Sequence, residues 1–465
     1  MRDEGDYLSY DETLSIVRRY ENSLLQNQNP FFDAIEFEGI IDYYMAENNG
    51  AKASEAVSIA LKMYPNSSEI LLRKADMNVM MQNYEEAFTT LRFLEGVESR
   101  NFEVYLIKGQ AFLETGQLHL AEEAFDRAVD LSIEDKVDTL TRISTPLLDM
   151  DEINLGCKYL VKAFAIEPDN LFVLFDLGFC YERMNDLDRS IFFYNRYLDI
   201  NPFAASVWYN IAIVHTKKGL FDKALDAYDF CLAIDPEYES ALHNKANTLA
   251  TLERFPEALE AFQELVQYEK ENVRVWCSLG ECYEKQEIFD KAMECYRKAI
   301  SLDPNHAEAY YGIGVVMMET GQPSLSLDFI QKAISLDPEQ YDFWLGLGKV
   351  NFEIGQQDEA LKAYREAVLI NPDEAEAYLA LAEIYLYQEK FKEVDTLFDE
   401  VGGKFEANAS MNVIKAAALY LTKRRKEALD ALKAAKKVDP LSVDDFFSIV
   451  SIINDDEFIL QAKQL

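Results

Sequence analysis

From Ala34 to Ser442 the same alternation of apolar, small and polar positions recurs every 34 residues, twelve times over. Within one period the spacing is helical: Trp344, Leu347 and Gly348 share one stripe, and Ala360, Tyr364 and Ala367 share another at i, i+4 and i+7. Each copy therefore predicts two amphipathic helices joined by a turn. Gly355 falls in that turn, Gly116, Gly219 and Gly321 hold the same place, and Asn48 and Asn185 substitute for it. A helix C-terminus commonly needs a left-handed residue, which glycine adopts without steric cost. Copies end on an acid or amide before proline, as at Glu167-Pro168, Asn201-Pro202, Asp235-Pro236, Asp303-Pro304, Asp337-Pro338, Asn371-Pro372 and Asp439-Pro440. Proline disfavours helical backbone in the residue before it, so the second helix stops on schedule. One such hairpin cannot bury its own apolar stripe, so the copies must stack and share a core.

The clearest copy reads Trp276, Leu279, Gly280, Tyr283, Ala292, Tyr296, Ala299, Pro304. This resembles the tetratricopeptide (TPR) pattern W-x2-L-G-x2-Y, A-x3-F, P, and the resemblance covers nearly the whole chain. It implies an all-α fold, a right-handed α-solenoid superhelix of stacked helix-turn-helix hairpins, with the first helix of every hairpin on the concave side. The small residues Gly280, Ala292 and Ala299 let the helices of a hairpin approach, while Tyr283 and Tyr296 fill the remaining volume.

The repeat phase sets the expected organisation: a capping helix region over 1–33, repeats one to three over 34–136, a degenerate fourth repeat over 137–170, repeats five to twelve over 171–442 and a capping helix over 443–465. Leu14, Val17, Tyr20 and Leu24 give the first cap its apolar face, and Phe446, Ile449, Val450 and Ile453 give the last one its face. A single extra residue near Lys136 precedes the fourth copy, whose first helix contains Pro146. An interior proline costs about 3 kcal/mol, so a shortened or kinked helix and a bend of the solenoid are expected there. Lys270 and Glu406 stand in two proline slots.

Composition narrows the function. The formal charge of -38 repels a phosphate backbone, which excludes nucleic acid as a partner and favours basic or neutral ones. Solubility of a long solenoid is the competing explanation of the acids. No stretch approaches the roughly 18 apolar residues of a membrane span, and Met1-Arg2-Asp3-Glu4 has no apolar run behind it, so a cytoplasmic protein without a membrane role is expected. The six cysteines have no disulfide or metal spacing, and Cys277 and Cys282 have no histidine beside them. The four histidines lie in different copies, with His215 in a tyrosine slot, and no catalytic or nucleotide-binding motif is present. The expectation is a protein that is not an enzyme and uses no cofactor.

TPR proteins commonly hold an extended peptide or helix of a partner in the concave groove, and the resemblance implies the same here. The residues on that stripe are Phe172, Phe175 and Phe179; Tyr209 and Asn210; His243, Asn244 and Asn247; Arg274 and Glu281; Tyr311; and Lys349. A helix that is apolar on two stripes, as 171–183 is, either holds a ligand or is covered by the irregular fourth copy. Asparagine carries donors and an acceptor for a peptide backbone, at about 0.5–1.5 kcal/mol per bond. The clamp for C-terminal carboxylates known in chaperone-adaptor TPR domains is matched only at Asn244 and Arg274, because Tyr209, Ile213 and Ser278 hold its other places. Acids recur along the stripe, including Asp42, Asp76, Asp176, Glu281, Glu308, Asp342 and Glu383, and suit a basic or apolar segment of a protein partner. The expected function is a non-catalytic interaction scaffold, with a regulatory or substrate-recruiting subunit of an enzyme held in trans as the alternative. Self-association through the terminal repeats, around Val413, Tyr420 and Phe447, is a third expectation.

Overall fold

The computed structural model describes residues 10–26, 31–134, 136–405, 407–450, 458, 461 and 462. Among these residues every regular element is a helix. The chain divides into two compact units, Met1–Ile234 and Asp235–Leu465. The fourth copy lies inside the first of them.

The period is built the same way in most copies. A first helix of 13 residues such as Tyr341–Glu353 leads through a three-residue turn into a second helix of 14, Gln357–Ile370, and a four-residue link reaches the next first helix, Ala375–Tyr387. In the turn Gly355 is left-handed at φ +81°. Its N–H donates to the Phe352 carbonyl at 3.0 Å, and the Gln356 N–H donates to that of Asn351 at 2.8 Å. This pair of bonds is the Schellman closure, which satisfies helix-end carbonyls that would otherwise be orphaned. Asn48 and Asn185 hold the same conformation, and so do Gln82, Asp151, Glu253, Glu287, Glu389 and Lys423, for which it is strained.

The acid before proline does more than stop a helix. The Asp303 carboxylate accepts from the Asn305 N–H at 2.9 Å, and Asp439 accepts from Leu441 at 2.9 Å, so the side chain closes the link. The ring that opens the next copy ties down the same segment: the Trp344 indole donates to the Pro338 carbonyl at 2.8 Å, and Trp208 to that of Pro202 at 2.9 Å. Trp276 makes this bond to the Lys270 carbonyl at 3.0 Å, which explains how that link forms without its proline.

In the first unit six hairpins run from Ala34–Ala46 to Phe221–Ile234, preceded by the helix Tyr10–Leu25. Val17 and Tyr20 of that helix are buried in one cluster with Phe32 and Phe37, and the Tyr20 ring meets both phenylalanines. The fourth copy departs from expectation in one respect. Its first helix, Lys136–Asp149, is not shortened: it has 14 residues with Pro146 inside it, so the extra residue lengthens the helix. Arg142, whose carbonyl loses its amide donor to the proline, is exposed, and water can take that acceptor. Asp135, just before this helix, lies outside the described residues.

The second unit carries six more hairpins, from Glu239–Thr251 to Arg425–Val438, followed by the helix Ser442–Ile449. Phe446 and Val450 are buried, together with Phe458 and Ala462, whereas Ile449 is 43% exposed and does not join the core. Ile453, expected in the same stripe, lies outside the described residues, as do Glu406 and Met1 to Glu4. Val413 is fully buried and Tyr420 packs on Phe458 with ring centroids 4.6 Å apart. Val413 and Tyr420 thus pack against the chain's own end, and Phe447 is half-buried beside Phe446. Successive first helices within the unit touch one another, as Val273–Lys285 touches Ala307–Glu319, while successive second helices hardly meet. The first-helix side is therefore the tighter, inner wall.

Candidate functional site: the inner wall of the second unit

Four successive first helices, Glu239–Thr251, Val273–Lys285, Ala307–Glu319 and Tyr341–Glu353, line one open cavity of about 810 Å³. Its walls carry His243, Asn247, Arg274, Glu281, Tyr311 and Lys349, so six of the twelve expected groove residues come together here. Asn244 is on the same helix but not in the lining, and its carbonyl accepts from the Thr248 hydroxyl at 2.7 Å. The remaining five belong to the first unit.

The floor owes its depth to two glycines. A Cβ on Gly312 would stand 2.3 Å from the Tyr296 ring, and one on Gly346 would stand 2.7 Å from the Tyr311 ring. Tyr296 is held there by its phenol, which donates to Glu284 Oε2 at 2.9 Å. Tyr311 packs against Phe343 with centroids 4.9 Å apart. Val315 and Met318 complete an apolar strip. Sequence reasoning did not place Gly312, Gly346, Tyr296 or Glu284 at the site. The available signal was glycine in the slot that holds Asn210, Asn244 and Ser278 in neighbouring copies.

The electrostatics are negative. Glu281, Glu284, Glu308, Glu319 and Asp342 line the cavity against Arg274, Lys285 and Lys349. Two of those cations are engaged, Lys285 with Glu284 at 3.4 Å and Lys349 with Glu376 at 2.8 Å. His306 Nε2 lies 3.6 Å from Glu308, and the Asn247 amide meets His243 Nδ1 at 3.2 Å. Burial raises the Glu284 carboxyl above its ordinary range, against the pull of Tyr296 and Lys285. Burial, with Glu308 and Glu281 nearby, pushes the Cys277 thiol up to about 12. A thiol so protonated is a poor nucleophile. Among the described residues no group of three or more His, Cys, Asp or Glu could hold a metal ion.

In the first unit the expected phenylalanines divide. Phe172 is half-exposed, Phe175 lies edge-on to Tyr194 and Tyr197 at 6.0 and 6.3 Å, and Phe179 packs on the core around the fourth copy. Asn210 lies near the Tyr194 phenol and opposes the rise that burial gives its pKa, and Tyr209 packs near Tyr228 at 6.3 Å. Towards the start of the chain Arg73 Nε bonds Asp42 at 2.7 Å. Burial pushes Asp76 and Asp176 up to about 6, with Arg73 opposing the rise at Asp76 and Asp149 adding to it at Asp176. No described helix is long and apolar enough to cross a membrane.

Tetratricopeptide-repeat models match residues 80–136, 173–203 and 205–238, and the model of the cilia and flagella-associated protein 70 C-terminal domain matches residues 235–444. With the hairpins described above, the chain is a tetratricopeptide-repeat protein. No curated protein matches it. Among solved structures it is similar to a tetratricopeptide repeat protein from Parabacteroides merdae, at 19% identity and a TM-score of 0.44, over 53% of this chain and 97% of that one. It is also similar to the C-terminal part of a TPR repeat-containing protein from Cytophaga hutchinsonii, at 16% identity and a TM-score of 0.44, over 52% of this chain and 99% of the other. A third is YrrB, described as a TPR protein with an unusual peptide-binding site, at 21% identity and a TM-score of 0.37, over 42% and 97%.

Proposed function

We propose that this protein is a non-catalytic interaction scaffold whose second unit grips an extended or helical segment of a partner protein along its inner wall. The observation that carries the reading is the cavity of about 810 Å³ on four consecutive first helices, with an apolar strip at Val315, Met318 and Phe343 set among carboxylates. A peptide lying along such a wall buries apolar side chains on the strip and satisfies its backbone with groups such as Asn247 and Ser278. Basic side chains of the partner meet Glu281, Glu308 and Asp342. Phe172 and its neighbours in the first unit are a separate candidate surface.

The test is to pan a display library of random peptides, about twelve residues each, against the full chain. The expected outcome is enrichment of sequences that combine Lys or Arg with apolar residues, and at least a tenfold loss of their affinity on Val315→Arg with the thermal unfolding curve intact. Peptides that bind the Val315→Arg protein as tightly as the parent would place the function elsewhere.

A further inference from the structure

The acids of this chain are spread along it, but the bases are not. Residues 404–437, one repeat length, contain 9 of the 45 Lys and Arg and only 3 of the 83 Asp and Glu. That segment is net +6 in a chain of -38, which leaves -44 on the rest. Its second helix, Arg425–Val438, buries Ala428, Leu432 and Ala435. At 3.6 residues per turn, Arg425, Lys426, Lys433, Lys436 and Lys437 fall within an arc of about 120° that borders the buried side at Leu432, and all are exposed but Lys436, which is half-buried. Lys433 is bonded to Asp430 at 3.3 Å, and Arg424 in the preceding turn is shared by Asp395 at 3.2 Å and Glu427 at 2.6 Å. Lys426, Lys436 and Lys437 have no carboxylate in ion-pair reach among the described residues.

A recess adjoins this face. The second helix of the preceding copy, Phe391–Val401, has 11 residues in place of 14 and ends at Gly402, left-handed at φ +60°. A cavity of about 880 Å³ lies beside it, lined by Phe398, Leu419 and Val438, by the cations Lys415, Arg424 and Lys437, and by the carboxylates Asp395, Asp399, Glu427 and Asp430. The Lys415 ammonium stands over the Phe398 ring at 5.7 Å.

We infer that the outer face of Arg425–Val438, with this recess, docks an acidic segment of a partner protein that also carries apolar side chains. Three observations select that occupant. The helix's apolar side is already buried in the repeat, so it has nothing to insert into a lipid layer. An anionic membrane or a nucleic acid is extended, and would bring its charge against the -44 carried by the rest of the chain. A narrow polypeptide meets only what lies within a Debye length of about 8 Å, and along the outer face of the helix that is mainly Arg425, Lys426, Lys433 and Lys437. Asp395, Asp399, Glu427 and Asp430 in the recess further disfavour a dense polyanion there, so the recess takes the partner's apolar side chains on Phe398 and Val438 while the helix face takes its acids. The surface is distinct from the inner wall and opposite to it in sign.

The experiment uses the full chain and a fluorescein-labelled peptide of alternating Glu and Ala, with a Lys-Ala peptide for comparison. Fluorescence anisotropy should report binding of the acidic peptide, and Lys426→Glu/Lys433→Glu/Lys437→Glu should weaken it at least tenfold. Lys223→Glu/Lys298→Glu/Lys332→Glu, which removes the same charge from exposed sites on other second helices, should leave it unchanged. Carbodiimide coupling followed by mass spectrometry should place the cross-links on Lys426, Lys436 or Lys437. Equal loss in both triple variants, cross-links spread over the chain, or binding to phosphatidylserine vesicles without binding to the peptide would overturn the inference.

Discussion

Gly348 lies so close to Tyr364 that a Cβ on it would stand 2.3 Å from the ring's Cε1. The same contact recurs sixteen residues apart at Gly109 and Phe125, Gly178 and Tyr194, and Gly280 and Tyr296, where the corresponding distances are 2.4, 2.4 and 2.8 Å. The small residue of the first helix and the ring of the second are thus one feature: the spacing of the hairpin is set by an aromatic face against bare backbone.

Replacing Gly348 by Ala should therefore destabilise the protein by about 1–3 kcal/mol, since the overpacking outweighs the gain in helix propensity of about 1 kcal/mol. Gly96, in the helix Tyr84–Val97, has nothing within 4 Å of the place a methyl group would occupy, and Gly96→Ala should stabilise by about 0.5–1 kcal/mol instead. Thermal or urea unfolding of the two variants checks both signs.

The turns offer a second contrast. Glu389 and Lys423 sit at φ +55° and +64°, where an L side chain is strained by about 1–2 kcal/mol. Glu389→Gly and Lys423→Gly should each stabilise by about 1 kcal/mol or less, after the entropy that glycine adds to the unfolded chain, and Gly355→Ala should destabilise by a similar amount. Urea midpoints at constant m-value decide the matter.

Asp76 provides a pH test. Its folded pKa, about 6, lies above the unfolded value near 3.9, so the folded state holds the proton more tightly and stability falls as pH rises through that window. Above pH 6 the unfavourable charge is fully present, and below about pH 4 it is gone. Asp76→Asn should then stabilise by an amount on the order of 1 kcal/mol at pH 7 and change little at pH 4, as read by melting temperature at the two pH values. An equal effect at both would assign the gain to packing.

The fold was legible because each of its rules is local. Proline, the turn glycine and the small-aromatic pairing all act within one period, so a repeat could be read at Trp276–Pro304 without knowledge of its neighbours. For the complementary reason, Pro146 does not shorten its helix: Lys136–Asp149 is held by its packing as well as by its own backbone bonds, and Ile143 and Leu147 are fully buried on either side of the proline. Half of the candidate site was legible, since His243, Arg274 and Glu281 follow from the helical stripe. Its depth was not, because Gly312 and Gly346 matter through Tyr296 and Tyr311, and only the stacked structure shows which ring lies over which glycine. The basic face of Arg425–Val438 was hidden in the opposite way, its charges lost in a total of -38.

A polypeptide held on the inner wall of the second unit would lie over Cys277, which makes that thiol a direct reporter. It lines the cavity and is half-buried, whereas the other five cysteines are buried. The decisive measurement is the rate of alkylation of Cys277 in the full chain, slow because the thiol stays protonated and therefore driven by a large excess of maleimide over hours, followed by mass spectrometry, with and without a saturating selected peptide. Several-fold protection of Cys277 by the peptide, lost in the Val315→Arg protein, is the predicted result; an alkylation rate indifferent to bound peptide would contradict the claim.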